Sequence, residues 1–309
     1  ALTKRLADLG AHVAATGRTV DKAAHLQRDD VEKKRADLGS DEGWAEIFEG
    51  ADTIFHVAAW LPRRGEDAEA AALKLNVDAC ERLYRLAADK GVRRFVHIST
   101  IAVFGLPPKD EVADDDALAV TQEGRYGRTK ALGERALVSL AEGGGPELVV
   151  LRPGMVYGPR SQGWAIGMLK LVKKGTPVIF GDGQGYAFPV FIENLVDALV
   201  LAATAKDAAG AYNVVDEKVT WAEWFGAFGE MCGRKPKRLP AFMGRAIVGA
   251  NALFKLGLPL DRESFELTQR RIVYPHGKLR AATGWAPRVS FQDGMAEAEA
   301  WLRAEGHLT

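Results

Sequence analysis

The chain has 309 residues, 47% hydrophobic and 27% charged, with 41 Lys+Arg against 41 Asp+Glu. This is ordinary globular composition, which excludes a disordered or collagen-like chain; at roughly 150 residues per domain it predicts two domains, or one large α/β domain with an appendage. Balanced charge and a pI near 7.2 leave no basic excess to hold a nucleic-acid backbone. Cys80 and Cys232 are too few and too far apart for a disulfide framework or a zinc site of their own, so a reducing, cytoplasmic setting fits and no metal site is expected. No apolar run approaches the roughly 18 residues of a membrane span, and no signal peptide opens the chain.

Leu2, Leu6, Ala7 and Leu9 recur at helical spacing, so the chain opens inside a helix that Gly10 stops. His12 to Thr16 then reads as a short strand. Residues 52–58 form a compact apolar strand. Residues 73–90 carry Leu75, Ala79, Leu83, Leu86 and Ala87 at helical spacing, and Gly91 ends that helix. Arg94 to Ser99 is the next strand, 128–142 the next helix, and a Gly143–Pro146 break leads into strand Leu148–Leu151. Such alternation predicts a parallel sheet with helices on both faces, whose ligands bind at the carboxyl ends of the strands.

After Pro153 the rhythm changes. A helix over 164–174 is followed by strand 176–180, strand 190–192 running into helix 194–205, and strand 211–215. The remainder is mostly helical, with Trp221, Trp224, Phe225 and Phe228 on one helix. The pattern predicts a smaller, discontinuous domain over the ligand crevice. The acidic run 110–116 is expected to be a solvated loop, because its carboxylates lack the alternating spacing of a calcium loop. Residues 239–260 are mostly apolar, broken by Arg245 and Lys255; a substrate-domain helix packed on the crevice is expected, rather than a membrane contact.

Chemistry concentrates at Tyr126-Gly-Arg-Thr-Lys130, which opens a helix. Positions i and i+4 share a face, so the Lys130 ammonium can sit beside the Tyr126 phenol and lower its pKa. A phenol so tuned can exchange a proton with a carbinol oxygen. Upstream, Ser99-Thr100 ends a strand, where a hydroxyl can hold the same oxygen. His56 is expected to be a satisfied strand-end histidine.

With these residues the chain resembles the extended short-chain dehydrogenase/reductases, the NAD-dependent epimerase/dehydratase superfamily. The resemblance runs through Phe55–Ala59, Leu75–Asp78, Val92–Thr100, Ala102–Gly105, Tyr126–Lys130, Leu151–Pro159, Phe191–Ala198, Tyr212–Val214 and Gly284–Pro287. It implies an α/β fold with a Rossmann-type doubly wound parallel sheet over 1–158 and 190–215. A smaller substrate-binding domain would comprise 159–189 and 216–309. It further implies that Thr100, Tyr126 and Lys130 are catalytic, Lys130 also gripping the nicotinamide ribose. Arg18, Asp37, Leu38, Ala58, Ala59, Ser99 and Pro153 would join Tyr126 and Lys130 in binding the cofactor. The family begins with a strand and a Gly-x-x-Gly-x-x-Gly turn that seats the pyrophosphate. Neither is in this sequence, and residues 1–9 match the helix that follows them, so roughly 12–18 further residues are expected upstream.

Arg18 follows the second Rossmann strand, where an acidic residue would hold a ribose 2′-hydroxyl; a guanidinium suits a 2′-phosphate instead. NADP(H) is therefore favoured, with NAD(H) as the alternative. Ile101-Ala102 replaces the Asp-Glu that dehydratases of the family carry after the catalytic Thr. Gly185–Val190 lacks the Arg that holds a sugar-nucleotide diphosphate, although Arg160 or Arg234 can compensate. What remains resembles the branch of 3β-hydroxysteroid dehydrogenases and dihydroflavonol-type reductases, to which Pro259–Arg262 through Tyr274 also conforms. The expectation is hydride transfer between nicotinamide and a secondary alcohol or ketone on an apolar frame. Trp60, Phe104, Met155, Phe188 and Phe191 are candidate pocket residues. The rivals are a nucleotide-sugar 4-epimerase and a non-catalytic NADP-binding protein. The partner would be a small molecule, with a homodimer through the helices over 75–90 and 126–142 permitted.

Overall fold

The computed structural model of the protein describes residues 1–23, 26–61, 68–175, 178–254, 260 and 262–308. Its first half runs α1 (Leu2–Asp8), β1 (Val13–Gly17), β2 (Val31–Arg35), α2 (Trp44–Phe48), β3 (Thr53–His56), α3 (Glu69–Leu73), α4 (Ala79–Asp89), β4 (Arg94–Ile98), α5 (Arg125–Glu142) and β5 (Glu147–Pro153). Then come β6 (Met155–Tyr157), α6 (Met168–Lys173), β7 (Val178–Phe180), β8 (Tyr186–Ala187), β9 (Pro189–Phe191), α7 (Ile192–Thr204) and β10 (Gly210–Val214). The chain ends with β11 (Val219–Thr220), α8 (Trp221–Met231), β12 (Lys237–Leu239), α9 (Ala241–Phe254), α10 (Arg262–Gln269), α11 (Gly277–Thr283) and α12 (Phe291–Ala304).

The parallel strands fall into two groups. One sheet has the order β10-β5-β4-β3, and β1 pairs with β2 in a separate ribbon. Burial follows this division. Residues 94–97 of β4 and all of β5 after Glu147 are buried, whereas β1 alternates between half-buried and exposed and β3 buries only His56. β1 and β3 are each the end strand of their sheet.

Alternation along β4 and β5 feeds two cores, since successive side chains point to opposite faces. Val96, Val149 and Leu151 pack on one face with Leu195 and Leu199 of α7. Leu279 and Trp285, from the C-terminal segment, join the same cluster. Phe95, Leu148 and Val150 pack on the other face with Leu83 and Tyr84 of α4 and Leu137 of α5. A further core gathers Met155, Tyr157 and Phe191 around Trp224, Phe228 and Met295. Asn194 ties the layers together: its side chain accepts from Arg288 N and Val289 N and donates to Asp216 and Val289 O, while its carbonyl accepts from Trp285 Nε1.

Close approach fixes α5. A Cβ on Gly133 would lie 1.9 Å from Asn76 O, and one on Gly127 would lie 2.5 Å from Ala102 O. Only glycine admits both contacts. Asn76 sits in a single-turn π segment, Lys74–Asp78, between α3 and α4. Its amide accepts from Trp60 N at 2.7 Å and donates to Thr129 Oγ1 at 3.0 Å, joining the loop after β3 to α5.

Several expectations are corrected. Strand β2 gives no apolar signal, because Val31 is its one buried residue. The strand expected over 52–58 ends at His56, leaving Ala58 and Ala59 in the following loop. The acidic run is not simply a solvated loop: Val112 N donates to Val273 O, and Asp114 is buried with its carboxylate accepting from Asn213 N. Asp115 and Asp116 pair with Lys278 and Lys109. Helix α9 is not covered as expected. Gly244 is its one buried residue, while Phe242, Leu253 and Phe254 face outward. Thr176, Pro177, residues 255–259 and Asp261 lie outside the described residues. Among the described residues no helix is long and apolar enough to cross a membrane.

Gly133→Ala is expected to cost about 1–3 kcal/mol through overpacking. Gly226→Ala in α8, where an added Cβ meets nothing within 4 Å, should gain up to about 1 kcal/mol. Urea unfolding of the two variants checks both signs.

Candidate functional site

The carboxyl ends of β3, β4 and β5 share one edge of the sheet, because these strands run parallel in direct register. Each ends in a residue singled out from the sequence. Ala58 and Ala59 follow β3, Ser99 and Thr100 follow β4, and Pro153 closes β5. Arg18 and Asp37 follow the ends of β1 and β2 in the same way.

Thr100 caps a 3₁₀ turn, Ile101–Phe104, its hydroxyl accepting from Ala102 N at 3.2 Å. The first turn of α5 rests on that 3₁₀ turn through Gly127, and Gln122 Nε2 donates to Ala102 O at 3.0 Å. This contact brings Tyr126 to Thr100. Burial pushes the Tyr126 phenol above its ordinary pKa, and the neighbouring Thr100 hydroxyl offsets part of that rise.

Lys130 differs from expectation. Its ammonium is buried and donates to Ile98 O at 2.7 Å and to His97 Nε2 at 3.1 Å, not to the phenol. Burial lowers its pKa, against the opposing pull of Cys80 and Glu134. The i,i+4 spacing predicts that Lys130 acidifies Tyr126; in the structure burial dominates the Tyr126 phenol, while Lys130 turns toward β4.

Ser99 also engages the fold: its hydroxyl donates to Glu134 Oε2 at 2.6 Å. Glu134 in turn accepts from Arg152 Nε at 2.9 Å, and Arg152 Nη1 donates to Asp114 O at 2.6 Å. Arg152 also stacks over the Phe104 ring, 5.1 Å from its centroid. Sequence reasoning passed over this network, although an Arg within the apolar strand Leu148–Pro153 was the available signal.

The aromatic candidates separate. Phe104 and Phe188 join Tyr274 and Ile101 in one cluster beside Thr100, the Phe188 and Tyr274 rings meeting edge to face at 5.1 Å. Met155 and Phe191 belong instead to the core around Trp224. Trp60 is buried and held by Asn76.

For a dinucleotide, the donor set fits at both ends. Arg18 is exposed and makes no ion pair among the described residues, leaving its guanidinium free for a phosphate. Asp37 is exposed beside Leu38, its carboxylate accepting only from Gly39 N. Ala58 and Ala59 are small side chains past β3, and Lys130 keeps one of its three N–H donors unassigned. A glycine-rich turn for the pyrophosphate is not among the described residues.

A family model described as NAD dependent epimerase/dehydratase matches residues 1–215. The UDP-glucose 4-epimerase of Vibrio cholerae is 31% identical over 253 residues, covering 77% of this chain and 74% of that enzyme. The 4-hydroxy-2-methyl-3-oxo-4-farnesyl-3,4-dihydroquinoline-1-oxide ketoreductase of Stigmatella aurantiaca is 26% identical over 305 residues, covering 95% and 90% of the two chains. Among solved structures, MoeE5 in complex with UDP-glucuronic acid and NAD matches with a TM-score of 0.75 at 25% identity, over 98% of this chain and 95% of that one.

Glu134→Leu leaves the buried Arg152 guanidinium uncompensated and should destabilise the fold by about 3–5 kcal/mol. Glu134→Leu combined with Arg152→Met should be milder than the single change. Denaturant midpoints of the three proteins test the coupling.

Proposed function

Since the chain belongs to the NAD-dependent epimerase/dehydratase family, we propose that it is an NADP(H)-preferring oxidoreductase. It would act on a secondary alcohol or ketone carried by a largely apolar substrate. The observation that carries this reading is the placement of Thr100 at the carboxyl edge of β4 beside the first turn of α5, which carries Tyr126 and, one helical turn further along, the buried Lys130. The Phe104, Phe188 and Tyr274 cluster supports an apolar substrate. So does the relative whose named substrate bears a farnesyl chain.

The bound nicotinamide supplies the hydride. Thr100 Oγ1 and the Tyr126 phenol hydrogen-bond the substrate oxygen, and the phenol gives its proton to that oxygen when a ketone is reduced. A raised phenol pKa keeps the proton on Tyr126 until the oxygen becomes basic. The remaining N–H of Lys130 holds the ribose. Arg18 receives the 2′-phosphate, and Asp37 with Leu38 borders the adenine. The small-molecule substrate, cytoplasmic setting and homodimer are parts of the same reading.

A 4-epimerase is the second reading, favoured by the Vibrio cholerae relative and by MoeE5 with its UDP-sugar. Against it, Gly185–Val190 offers no Arg to hold a sugar-nucleotide diphosphate.

Tyr126→Phe should lower kcat for oxidation of cyclic secondary alcohols by at least roughly 100-fold with little change in cofactor Kd. Unaltered turnover would refute the role, and UDP-hexose conversion with retained NAD would favour the epimerase. Arg18→Ala should weaken NADPH binding by about tenfold and leave NADH within about twofold, as expected for loss of one charge-assisted contact. Titration of cofactor fluorescence measures both.

A further inference from the structure

Behind Lys130 lies a buried group that the proposed chemistry does not use. His56 and His97 stack with ring centroids 5.0 Å apart, and their Nδ1 atoms are 2.9 Å apart. His97 Nε2 lies 3.1 Å from Lys130 Nζ. Cys80 Sγ sits 3.8 Å from His56 Nδ1 and donates to Asn76 O at 3.1 Å. All three side chains are buried, His97 and Cys80 at 0% exposure.

The proton positions follow from what each partner can do. An ammonium only donates, so His97 Nε2 must accept. A neutral His97 then carries its proton on Nδ1 and donates it to His56 Nδ1. The Cys80 thiol proton is directed to Asn76 O, which leaves the His56 Nδ1 lone pair available. His56 therefore carries its proton on Nε2, an atom that is buried with no hydrogen-bond partner. Burial and the Lys130 charge hold both imidazoles neutral: His56 falls to about 3 and His97 well below its ordinary value. The other groups acting on the cluster are Glu81 and Arg82 on α4 and Glu134 on α5.

We infer that His97 is a positioning residue for Lys130, and that the His56–His97 pair fixes the tautomer in which it serves. With Ile98 O, His97 Nε2 takes two of the three ammonium protons and aims the third at the ligand. The inference rests on the role of Lys130 proposed above. Three ligand atoms within 4.8 Å also have the spacing of a metal centre. Coordination by His97 Nδ1 would, however, move its proton to Nε2, against the Lys130 ammonium, and second-shell partners of metal-bound histidines are ordinarily acceptors. The hydrogen-bonded arrangement is thus the one consistent with every donor.

The test uses the full chain and has two readouts that do not require turnover. Long-range ¹H–¹⁵N NMR between pH 6 and 9 should show neutral His97 protonated on Nδ1 and neutral His56 protonated on Nε2. His97→Gln, whose amide oxygen can replace Nε2, should keep the Lys130 ¹⁵Nζ resonance and hold NADPH Kd within about threefold. His97→Phe should lose that resonance and raise Kd at least about tenfold, as for a misdirected charge-assisted donor. A His97 proton on Nε2, or His97→Phe with an unchanged Lys130 resonance, would overturn the inference. So would one equivalent of Zn²⁺ or Cu⁺ binding through both Nδ1 atoms and Cys80. If His97→Phe does not fold, the wild-type tautomers and His97→Gln still decide. If the tautomers and resonances hold but no alcohol is oxidised, the functional reading fails and the positioning contact stands.

Discussion

A carboxylate and a guanidinium, both buried, hold the carboxyl edge of the sheet together. Glu134 projects from the middle of α5 and meets Arg152 near the end of β5, while its other oxygen takes the Ser99 hydroxyl at the end of β4. One side chain thereby ties the helix that carries Tyr126 and Lys130 to the two central strands. Desolvating two ions is expensive unless every lone pair and proton is matched. Here Arg152 also reaches Asp114 O and the Phe104 ring, and Asp114 takes Asn213 N at the neighbouring strand. The network therefore crosses α5, β4, β5 and β10, and the direction of α5 depends on it.

The two buried cations at this edge are treated differently. Arg152 has a carboxylate in direct contact. Lys130 has only neutral acceptors, Ile98 O and His97 Nε2, and burial lowers its pKa accordingly. A fixed counterion makes Arg152 a structural tie. Lys130, without one, retains electrostatic reach toward whatever occupies the crevice. The same helix thus carries one charge already neutralised by the fold and one left to be answered by a ligand.

The alternating first half, the apolar strands β4 and β5, and the Tyr126-to-Lys130 spacing were legible because each expresses a local period. The family resemblance then pointed to Thr100 and the carboxyl edge of the sheet as a candidate site. What escaped was tertiary. Strand β2 is amphipathic in neither sense, since only Val31 is buried, and its existence depends on pairing with β1. The Ser99 hydroxyl faces Glu134, which lies 35 residues along the chain, a relation no spacing reveals. Met155 and Phe191 looked like pocket residues by type but were claimed by the core around Trp224. Asp114 lay within an acidic run whose composition suggested solvent, yet its neighbour across the fold was the backbone of β10.

The division of the parallel strands carries a further physical meaning. In a sheet, a backbone amide exchanges with solvent in proportion to the opening that exposes it, and end strands open most readily. β4 and β5, paired on both sides and buried, form the slow-exchanging centre of the molecule. β1 and β3, paired on one side and only partly buried, lie at its fast margin. The cofactor edge thus spans a gradient of local stability. Thr100 and Pro153 extend from its rigid middle, while Arg18, Ala58 and Ala59 extend from strands whose firmness a further paired strand would raise. Any segment that docks between β1 and β3 would add its backbone bonds where the dinucleotide residues are least secured, so pairing there and ordering of the binding edge would be one event.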